Sequence, residues 1–386
     1  MASVKLDPAY ELSASPNVPV KPTGSLARLP FWARCGYHLN KRHWNTVVLD
    51  GDVPQGEIKR MIDRSYGLVV KSLKIVREKH CYYVMERKHY LSSDEVRYFT
   101  SKSNVLAWRT FVVTWAILLA VFWMVDSWTN PFTVLLAIVL LAGRQLGLAV
   151  ITHECGHNTF FESRALNSTL GQFLAANVVF SDLHAYARGH TRHHKHAGTH
   201  DDPDLPNYQA YPVPRDSFRR KVIRDLTGQT GYKLLRFVLR SAGGIFSSDP
   251  GKRQTARPFV QQILVNMVFA VCLGWLFSPW IYLLWLVTFV TTHMLIVRIR
   301  QVAEHAAVPD PLDLDPRKNT RTTIPAWWER LFFAPNYVNY HLEHHFMAGV
   351  PCYRLKELHE LLQQRGAYTH TPIFHGYREV LLHAVA

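Results

Sequence analysis

Residues Phe132–His157 read FTVLLAIVLLAGRQLGLAVITHECGH, a long apolar run that leads directly into two histidines four residues apart. The apolar part, interrupted only by Arg144, has about the ~20 residues that an α-helix needs to cross a bilayer core. Because residues i and i+4 lie on one face of a helix, His153 and His157 should point the same way. The stretch therefore predicts a membrane helix followed by a metal-binding pair.

Three further apolar segments resemble this one in length. Phe111–Val125 precedes it, and Phe259–Phe277 with Ile281–Ile299 forms a second pair. The links Asp126–Pro131 and Ser278–Trp280 contain no Lys or Arg, so the positive-inside rule places both termini and the central region in the cytoplasm. We predict a mainly α integral membrane protein with four transmembrane helices in two hairpins and a cytoplasmic helical cap. The alternative is two buried helical hairpins of a soluble protein.

The composition agrees with a membrane protein and argues against a disulfide-bonded fold and a cysteine zinc site. The chain has 386 residues, of which 48% are hydrophobic, and this excludes a disordered protein. A net charge of +15 alone would fit nucleic acid or a membrane surface, but the apolar segments favour the membrane, and we expect no nucleic-acid partner. The five cysteines form no CxxC pair, which argues against a disulfide framework and a cysteine zinc site.

Histidines are unusually frequent: the chain has 21 of them. Three boxes stand out, namely His153-Glu-Cys-Gly-His157, His190-Thr-Arg-His193-His194 and His341-Leu-Glu-His344-His345. Spacings of three and four residues put the imidazoles of each box on one helix face. Neutral imidazole binds iron, zinc, copper and nickel, and eight such ligands exceed the four of a tetrahedral zinc site. The boxes therefore predict two metals, with His305 as a ninth candidate ligand.

Carboxylates beside the boxes are candidates to accept hydrogen bonds from the ligating imidazoles and so orient them. They are Glu154, Glu304, Glu343, Asp201, Asp202 and Asp204. We expect His184, His196 and His200 to lie in loops or to support the ligands. His293, inside the fourth apolar segment, should be a packed and hydrogen-bonded histidine.

At these residues the chain resembles the membrane-bound fatty acid desaturase superfamily, which includes related hydroxylases and carotenoid-modifying enzymes. The stretches are ITHECGHNTFF, ARGHTRHHKHAGTHDDPD, RQVAEH, NYHLEHH and VPCYRLKELHELL, and the resemblance covers about Leu91–Leu362. It implies a non-haem di-iron centre and dioxygen as co-substrate. It also implies a membrane lipid or acyl substrate, with electrons from an external donor such as ferredoxin or another small redox protein.

The resemblance also implies which residues hold the two iron ions. Some members have an asparagine four residues before the separate histidine, and Gln301 stands there in this chain. The function implied is fatty acyl desaturation, the introduction of a C=C double bond into an acyl chain. The implied ligands are His153, His157, His190, His193, His194, His305, His341, His344 and His345.

A second, shorter resemblance lies near the N-terminus. The segment GYHLNKRHWNTVVLDGDVPQGEIKRMIDRSYGLVVKSL is similar to the C-terminal part of the MmcQ/YjbR family, a small α/β fold described as DNA-binding. We predict a flexible tail over 1–33, a partial MmcQ/YjbR-like segment over 34–76 with a strand at Trp44–Leu49, and the desaturase domain over 91–386. A fused remnant is favoured over a DNA-binding module. Because that family is bacterial, we expect a bacterial inner membrane.

Other functions fit parts of the sequence. A lipid hydroxylase, or a carotenoid hydroxylase or ketolase of the same superfamily, would use the same boxes. His153–His157 also matches HExxH, in which two histidines bind zinc and Glu154 would act as general base of an intramembrane metalloprotease. That hypothesis leaves both HxxHH boxes unexplained. A membrane metal-binding or DNA-tethering protein is the non-enzymatic alternative.

Overall fold

The computed structural model divides the chain into two units, Met1–Val84 and Met85–Ala386. The second unit is described almost completely, and the first only along three short strands. Most of the MmcQ/YjbR-like segment predicted over 34–76 lies outside the described residues. The structure describes residues 88–369 and 371–386, and the backbone of 2–5, 33–34 and 44–47.

The described part of the first unit is a small antiparallel sheet. Its strands are β1 (Ala2–Lys5), β2 (Ala33–Arg34) and β3 (Trp44–Val47), in the order β1-β3-β2. Ala2 and Ala33 both pair with Val47, one from each side. The third strand starts where the strand over Trp44–Leu49 was predicted, and the first lies in the predicted tail.

The second unit is built almost entirely of helices. The structure also contains π-helical segments at Gly171–Ala176 and Phe289–His293, and two short parallel strands, β4 (Thr323–Ile324) and β5 (Phe374–His375). The α-helices are α1 (Ser93–Thr100), α2 (Asn104–Ser127), α3 (Pro131–Gly156), α4 (Arg164–Leu170), α5 (Leu183–His196), α6 (Leu205–Tyr208), α7 (Arg215–Leu226), α8 (Gln229–Ala242), α9 (Pro250–Leu276), α10 (Trp280–Thr288), α11 (Met294–His305), α12 (Pro316–Asn319), α13 (Glu329–Phe332), α14 (His341–Phe346), α15 (Cys352–Gln364) and α16 (Tyr377–Ala384).

Among the described residues, four helices are long and apolar enough to cross a membrane, and they contain the four segments predicted from sequence except for Phe277. They are α2, α3, α9 and the continuous helix Trp280–His305, with mean hydropathies of 2.0, 2.3, 1.8 and 1.8. Two of them extend past their apolar runs, so that His153 lies in the last turn of α3 and His305 ends α11. The protein is therefore a mainly helical membrane protein. Its arrangement as two hairpins under a cytoplasmic cap stays a prediction.

Local sequence explains where the two helices before the first histidine box begin. Ser103 starts α2, and its hydroxyl accepts a hydrogen bond from the Leu106 amide. Asn130 starts α3, with its side-chain oxygen accepting from the amides of Phe132 and Thr133. Such caps satisfy amides that have no partner within the helix. Pro at the first helical position of α3 adds a preset φ angle.

A close backbone contact fixes the chain around α13 against α3. A Cβ atom on Gly143 would lie 2.2 Å from the Leu331 carbonyl oxygen, so only glycine allows this approach. The neighbouring Arg144 Nη2 donates to the same carbonyl at 2.9 Å. The chain that leads from α13 into α14 and the third histidine box is thus held beside the helix that carries the first box.

Candidate metal centre

The nine candidate ligands lie in two clusters of nitrogen atoms. In each cluster the potential ligand atoms all lie within 4.8 Å of one another. Each of the nine histidines predicted as metal ligands belongs to one cluster or the other. The first cluster is His153, His157, His190, His194 and His344, and the second is His193, His305, His341 and His345.

Helix geometry divides the second and third boxes between the clusters. On α5, His190 and His194 are four residues apart and join the first cluster, whereas His193 joins the second. On α14, His344 joins the first cluster, while His341 and His345 join the second. The two short helices therefore lie between the clusters and serve both. The last turn of α3 supplies only the first cluster, and the last turn of α11 only the second.

Several imidazole nitrogens face each other at short range in the first cluster. His194 Nε2 lies 2.9 Å from His190 Nε2 and 2.8 Å from His344 Nε2. In the second cluster, His341 Nε2 lies 2.9 Å from His305 Nε2. Imidazole nitrogens at these distances have the arrangement expected of ligands around a shared ion.

Two imidazoles of the first box carry nitrogens that bond to nothing in the described residues. His153 Nε2 and His157 Nε2 are buried and lack a hydrogen-bond partner there. A buried polar atom without a partner is unfavourable. A metal ion bound by both nitrogens would remove this cost, and an all-imidazole donor set suits iron as well as zinc, copper and nickel. The residues present thus fit a metal pair.

Burial disfavours the charged form of six of the candidate ligand imidazoles. Desolvation lowers the pKa of His157 below its usual 6.5. Desolvation, reinforced by neighbouring imidazoles, lowers the pKa values of His190, His194, His344 and His345 well below 6.5, and that of His341 likewise. Because neutral imidazole is the form that binds metal, the site is prepared for ligation at neutral pH.

Carboxylates orient two of the candidate ligands by accepting a hydrogen bond from Nδ1. His153 Nδ1 lies 3.0 Å from Glu154 Oε1, and His193 Nδ1 lies 2.8 Å from Asp202 Oδ1. Burial raises the pKa of Asp202, but the hydrogen bonds from His193 and Tyr208 outweigh it, so that the pKa is lowered. A proton held at Nδ1 leaves Nε2 free to face the cluster.

The second cluster has two further supports. Glu304 Oε1 lies 3.5 Å from His341 Nδ1, and both Glu304 oxygens accept hydrogen bonds from Arg300, at 2.5 and 2.6 Å. His305 Nδ1 lies 3.1 Å from the Asn319 backbone carbonyl oxygen. Arg300 could have been suspected from its spacing of four residues to Glu304. The contact with Asn319 could not be predicted from the sequence, because it uses a backbone carbonyl oxygen and not a side chain.

Two of the candidate orienting carboxylates serve no ligand. Glu343 is buried and lies within the third box in sequence. Its carboxylate nevertheless accepts hydrogen bonds from His359 Nδ1 at 2.6 Å, Tyr368 OH at 2.6 Å and the Thr322 hydroxyl. It points to the opposite side of α14 because it is two residues from His341. Asp201 is exposed and contacts no ligand imidazole. Of the remaining carboxylates, Asp204 lies 3.7 Å from His193 Nδ1.

The other histidines near the boxes lie outside both clusters. His184 and His200 are exposed, and His196 is partly buried. His293 is buried and stacks on Phe289, with its Nδ1 3.5 Å from the Ala142 carbonyl oxygen, as expected of a packed membrane histidine.

Two aromatic residues beside the clusters were not predicted from the sequence. The rings of Tyr208 and Tyr186 stack on His305 and His190, at centroid distances of 4.9 and 5.4 Å. Gln301 lines a cavity that also reaches His193 and His305.

Comparison with known proteins identifies the same region. The fatty acid desaturase family model matches residues 127–377, and the YjbR model matches residues 23–68. The chain is 27% identical over 263 residues to the dihydrorhizobitoxine desaturase of Bradyrhizobium elkanii, covering 63% of this chain and 70% of that protein.

Two relatives come from Synechocystis sp. The first is an sn-1 oleoyl-lipid 12-desaturase, 27% identical over 237 residues, which cover 56% of this chain and 65% of the relative. The second is an sn-1 acyl-lipid omega-3 desaturase (ferredoxin), 22% identical over 257 residues, which cover 60% of this chain and 68% of the relative. The chain thus spans about two thirds of the length of each Synechocystis relative.

Proposed function

Since the chain belongs to the fatty acid desaturase family, we propose that it is a membrane-bound, non-haem di-iron desaturase that introduces a double bond into a lipid acyl chain. The observation that carries the proposal is the convergence of nine imidazoles into two clusters, with four residues in one and five in the other. The curated relatives named above are desaturases, and two of them bear names that specify acyl lipids.

The ligand assignment follows from the clusters. His153, His157, His190, His194 and His344 would hold one iron, and His193, His305, His341 and His345 the other. When bound, the irons supply the redox chemistry that lets dioxygen remove hydrogen from an unactivated C–H bond. In the overall reaction, two hydrogens leave adjacent carbons, and they combine with dioxygen, two electrons and two protons to give a double bond and two waters.

The residues of the chain contribute orientation and exclusion of water. Asp202 and Glu154 hold Nδ1 protons of His193 and His153, which keeps their Nε2 atoms directed at the clusters. A narrow cavity lined by Ala149, Val150, Val338 and Leu355 reaches His153, His341 and His344. These apolar side chains form the part of the wall that would face an acyl chain, and they would keep bulk water away from the reacting carbons.

The proposal also covers the electron donor, the location of the protein and its domains. An external electron donor such as ferredoxin, which the name of one relative specifies, would deliver the electrons. The protein would lie in a bacterial inner membrane, with the histidine boxes and both termini in the cytoplasm. Residues 34–76 would be a partial MmcQ/YjbR-like segment between a tail over 1–33 and the desaturase domain over 91–386.

Lipid analysis of cells that express the protein tests the activity. Membrane lipids from cells with the wild-type chain are compared by mass spectrometry with those from cells with His193→Ala, under 18O2. An acyl chain that lacks two hydrogens and carries no 18O, formed only with the wild type, supports desaturation. A lipid or carotenoid that carries 18O instead identifies a hydroxylase or ketolase and contradicts the proposal, as does an unchanged lipid profile.

A further inference from the structure

We propose that Arg109, Arg144 and Arg330 form a binding site for the anionic group, phosphate or carboxylate, of the lipid whose acyl chain is oxidised. This inference rests on the proposed function and adds the chemistry that anchors the substrate. It assigns a role to a cluster of cations outside the two metal clusters.

The three arginines line one cavity at the membrane helices. The cavity has a volume of about 450 Å³ and lies between α2, α3 and the chain from α13 to α14. Arg109 comes from α2, Arg144 from α3 and Arg330 from α13. Thr110 and Asn336 add polar atoms to its walls. Three elements distant in sequence therefore bring positive charge to one place.

No carboxylate among the described residues pairs with any of the three guanidinium groups. The ion pairs within the described ranges involve other residues, and Arg144, only 5% exposed, uses its Nη2 alone, on the Leu331 and Arg330 carbonyl oxygens. Arg109 and Arg144 also belong to helices that can span a membrane. A charged side chain in such a helix is unfavourable in free energy unless it pairs with an opposite charge or another polar group. An anionic ligand would supply the missing charge.

The arginine cavity adjoins the narrow cavity at the metal centre. Tyr337 lines both the arginine cavity and the narrow cavity that reaches His153, His341 and His344. Arg144 and His153 are nine residues apart on α3, or about 14 Å along a helix with a rise of about 1.5 Å per residue. An anionic group held by the arginines would therefore direct its apolar chain past Tyr337 towards the metals. Arginine suits this role because its planar fork binds phosphate or carboxylate through paired hydrogen bonds.

Binding of single-chain amphiphiles tests the site without catalysis. Detergent-purified wild type and the double variant Arg109→Gln/Arg330→Gln are compared in equilibrium dialysis with labelled hexadecyl phosphate, palmitate and hexadecanol at neutral pH. Arg109 and Arg330 are exposed, so their replacement should leave the fold intact. Arg378→Gln, which removes one exposed charge from α16 away from this cavity, is the matched control.

The proposal predicts weaker binding of an anionic probe by about tenfold for each arginine removed, with hexadecanol unchanged and the control like wild type. Tighter binding of hexadecyl phosphate than of palmitate would identify a phospholipid source, and the reverse a free fatty acid. Equal losses for all three probes, or no loss for either anion, would overturn the site. Because binding needs no turnover, this result is separate from whether the lipid profile shows desaturation.

Discussion

The imidazole of His193 donates from Nδ1 to the buried carboxylate of Asp202, 2.8 Å away, while its Nε2 faces His345 Nε2 at 3.3 Å. The two contacts use the two ring nitrogens for different purposes. One fixes the ring and its tautomer, and the other places a lone pair in the second cluster. The Asp204 carboxylate lies farther from His193 Nδ1, at 3.7 Å.

Replacement of Asp202 by asparagine should weaken metal binding in the second cluster. The amide cannot hold the His193 proton as the carboxylate does, and loss of such a partner costs about 10–100-fold in metal affinity or activity. Iron retained after dialysis against a graded series of chelator concentrations measures the effect. Asp201→Asn, next in sequence but exposed, is the control and should behave as wild type. Equal iron retention in both variants would refute the role of Asp202.

Loss of a single ligand from either cluster should abolish activity. His193→Ala and His344→Ala each remove one nitrogen from a cluster in which every ligand atom lies within 4.8 Å of the others. Insertion into the membrane should remain intact, because the apolar helices are unchanged. Lipid analysis of isolated membranes measures the activity, and His184→Ala, at an exposed histidine outside the clusters, is the control. Full activity of either ligand variant would show that the assignment is wrong.

Glu343 should matter for stability rather than for metal binding. Its carboxylate accepts from His359, Tyr368 and Thr322, all without contact to a cluster. Glu343→Gln leaves buried donors with an imperfect partner and should lower the free energy of unfolding by about 1–3 kcal/mol. Thermal unfolding in detergent checks this, with Glu360→Gln on the exposed side of α15 as control. Unchanged unfolding with loss of iron would instead place Glu343 among the metal supports.

Acid should destabilise the metal-free protein. Burial lowers the pKa values of His190, His194 and His345 in the folded state well below the 6.5 of exposed histidine. The unfolded chain therefore binds more protons than the folded chain once the pH falls below about 6.5, and folding loses stability there. Melting temperatures of chelator-treated protein between pH 8 and pH 5 should fall below pH 6.5. A flat profile would contradict the buried, neutral state of the imidazoles.

The sequence predicted which histidines come together, because their positions follow from helix geometry. Spacings of three and four residues on α5 and α14 fix which imidazoles share a face, and the apolar runs fix the helices that carry His153 and His305. Adjacency in sequence was a poorer guide to the supporting groups. Glu343 lies between ligands yet faces away from them, and Asp202 could not be distinguished from Asp201.

Other parts of the centre depend on contacts between distant segments. The Asn319 carbonyl at the end of α12 lies beside His305, and a backbone oxygen has no signature in the sequence. Helix geometry keeps the pairs four residues apart together, but the cluster that each pair joins depends on how α5 and α14 pack between α3 and α11. The arginine cavity likewise joins three elements, and Gly143 allows two of them, α3 and α13, to approach closely.

The metal content of the detergent-purified protein tests the central claim most directly. Elemental analysis of the wild-type chain should find about two iron atoms per chain, one for each cluster, with little zinc. One zinc atom and no iron would contradict the di-iron account, favour the HExxH metalloprotease, and remove the basis for the roles assigned to the second and third boxes.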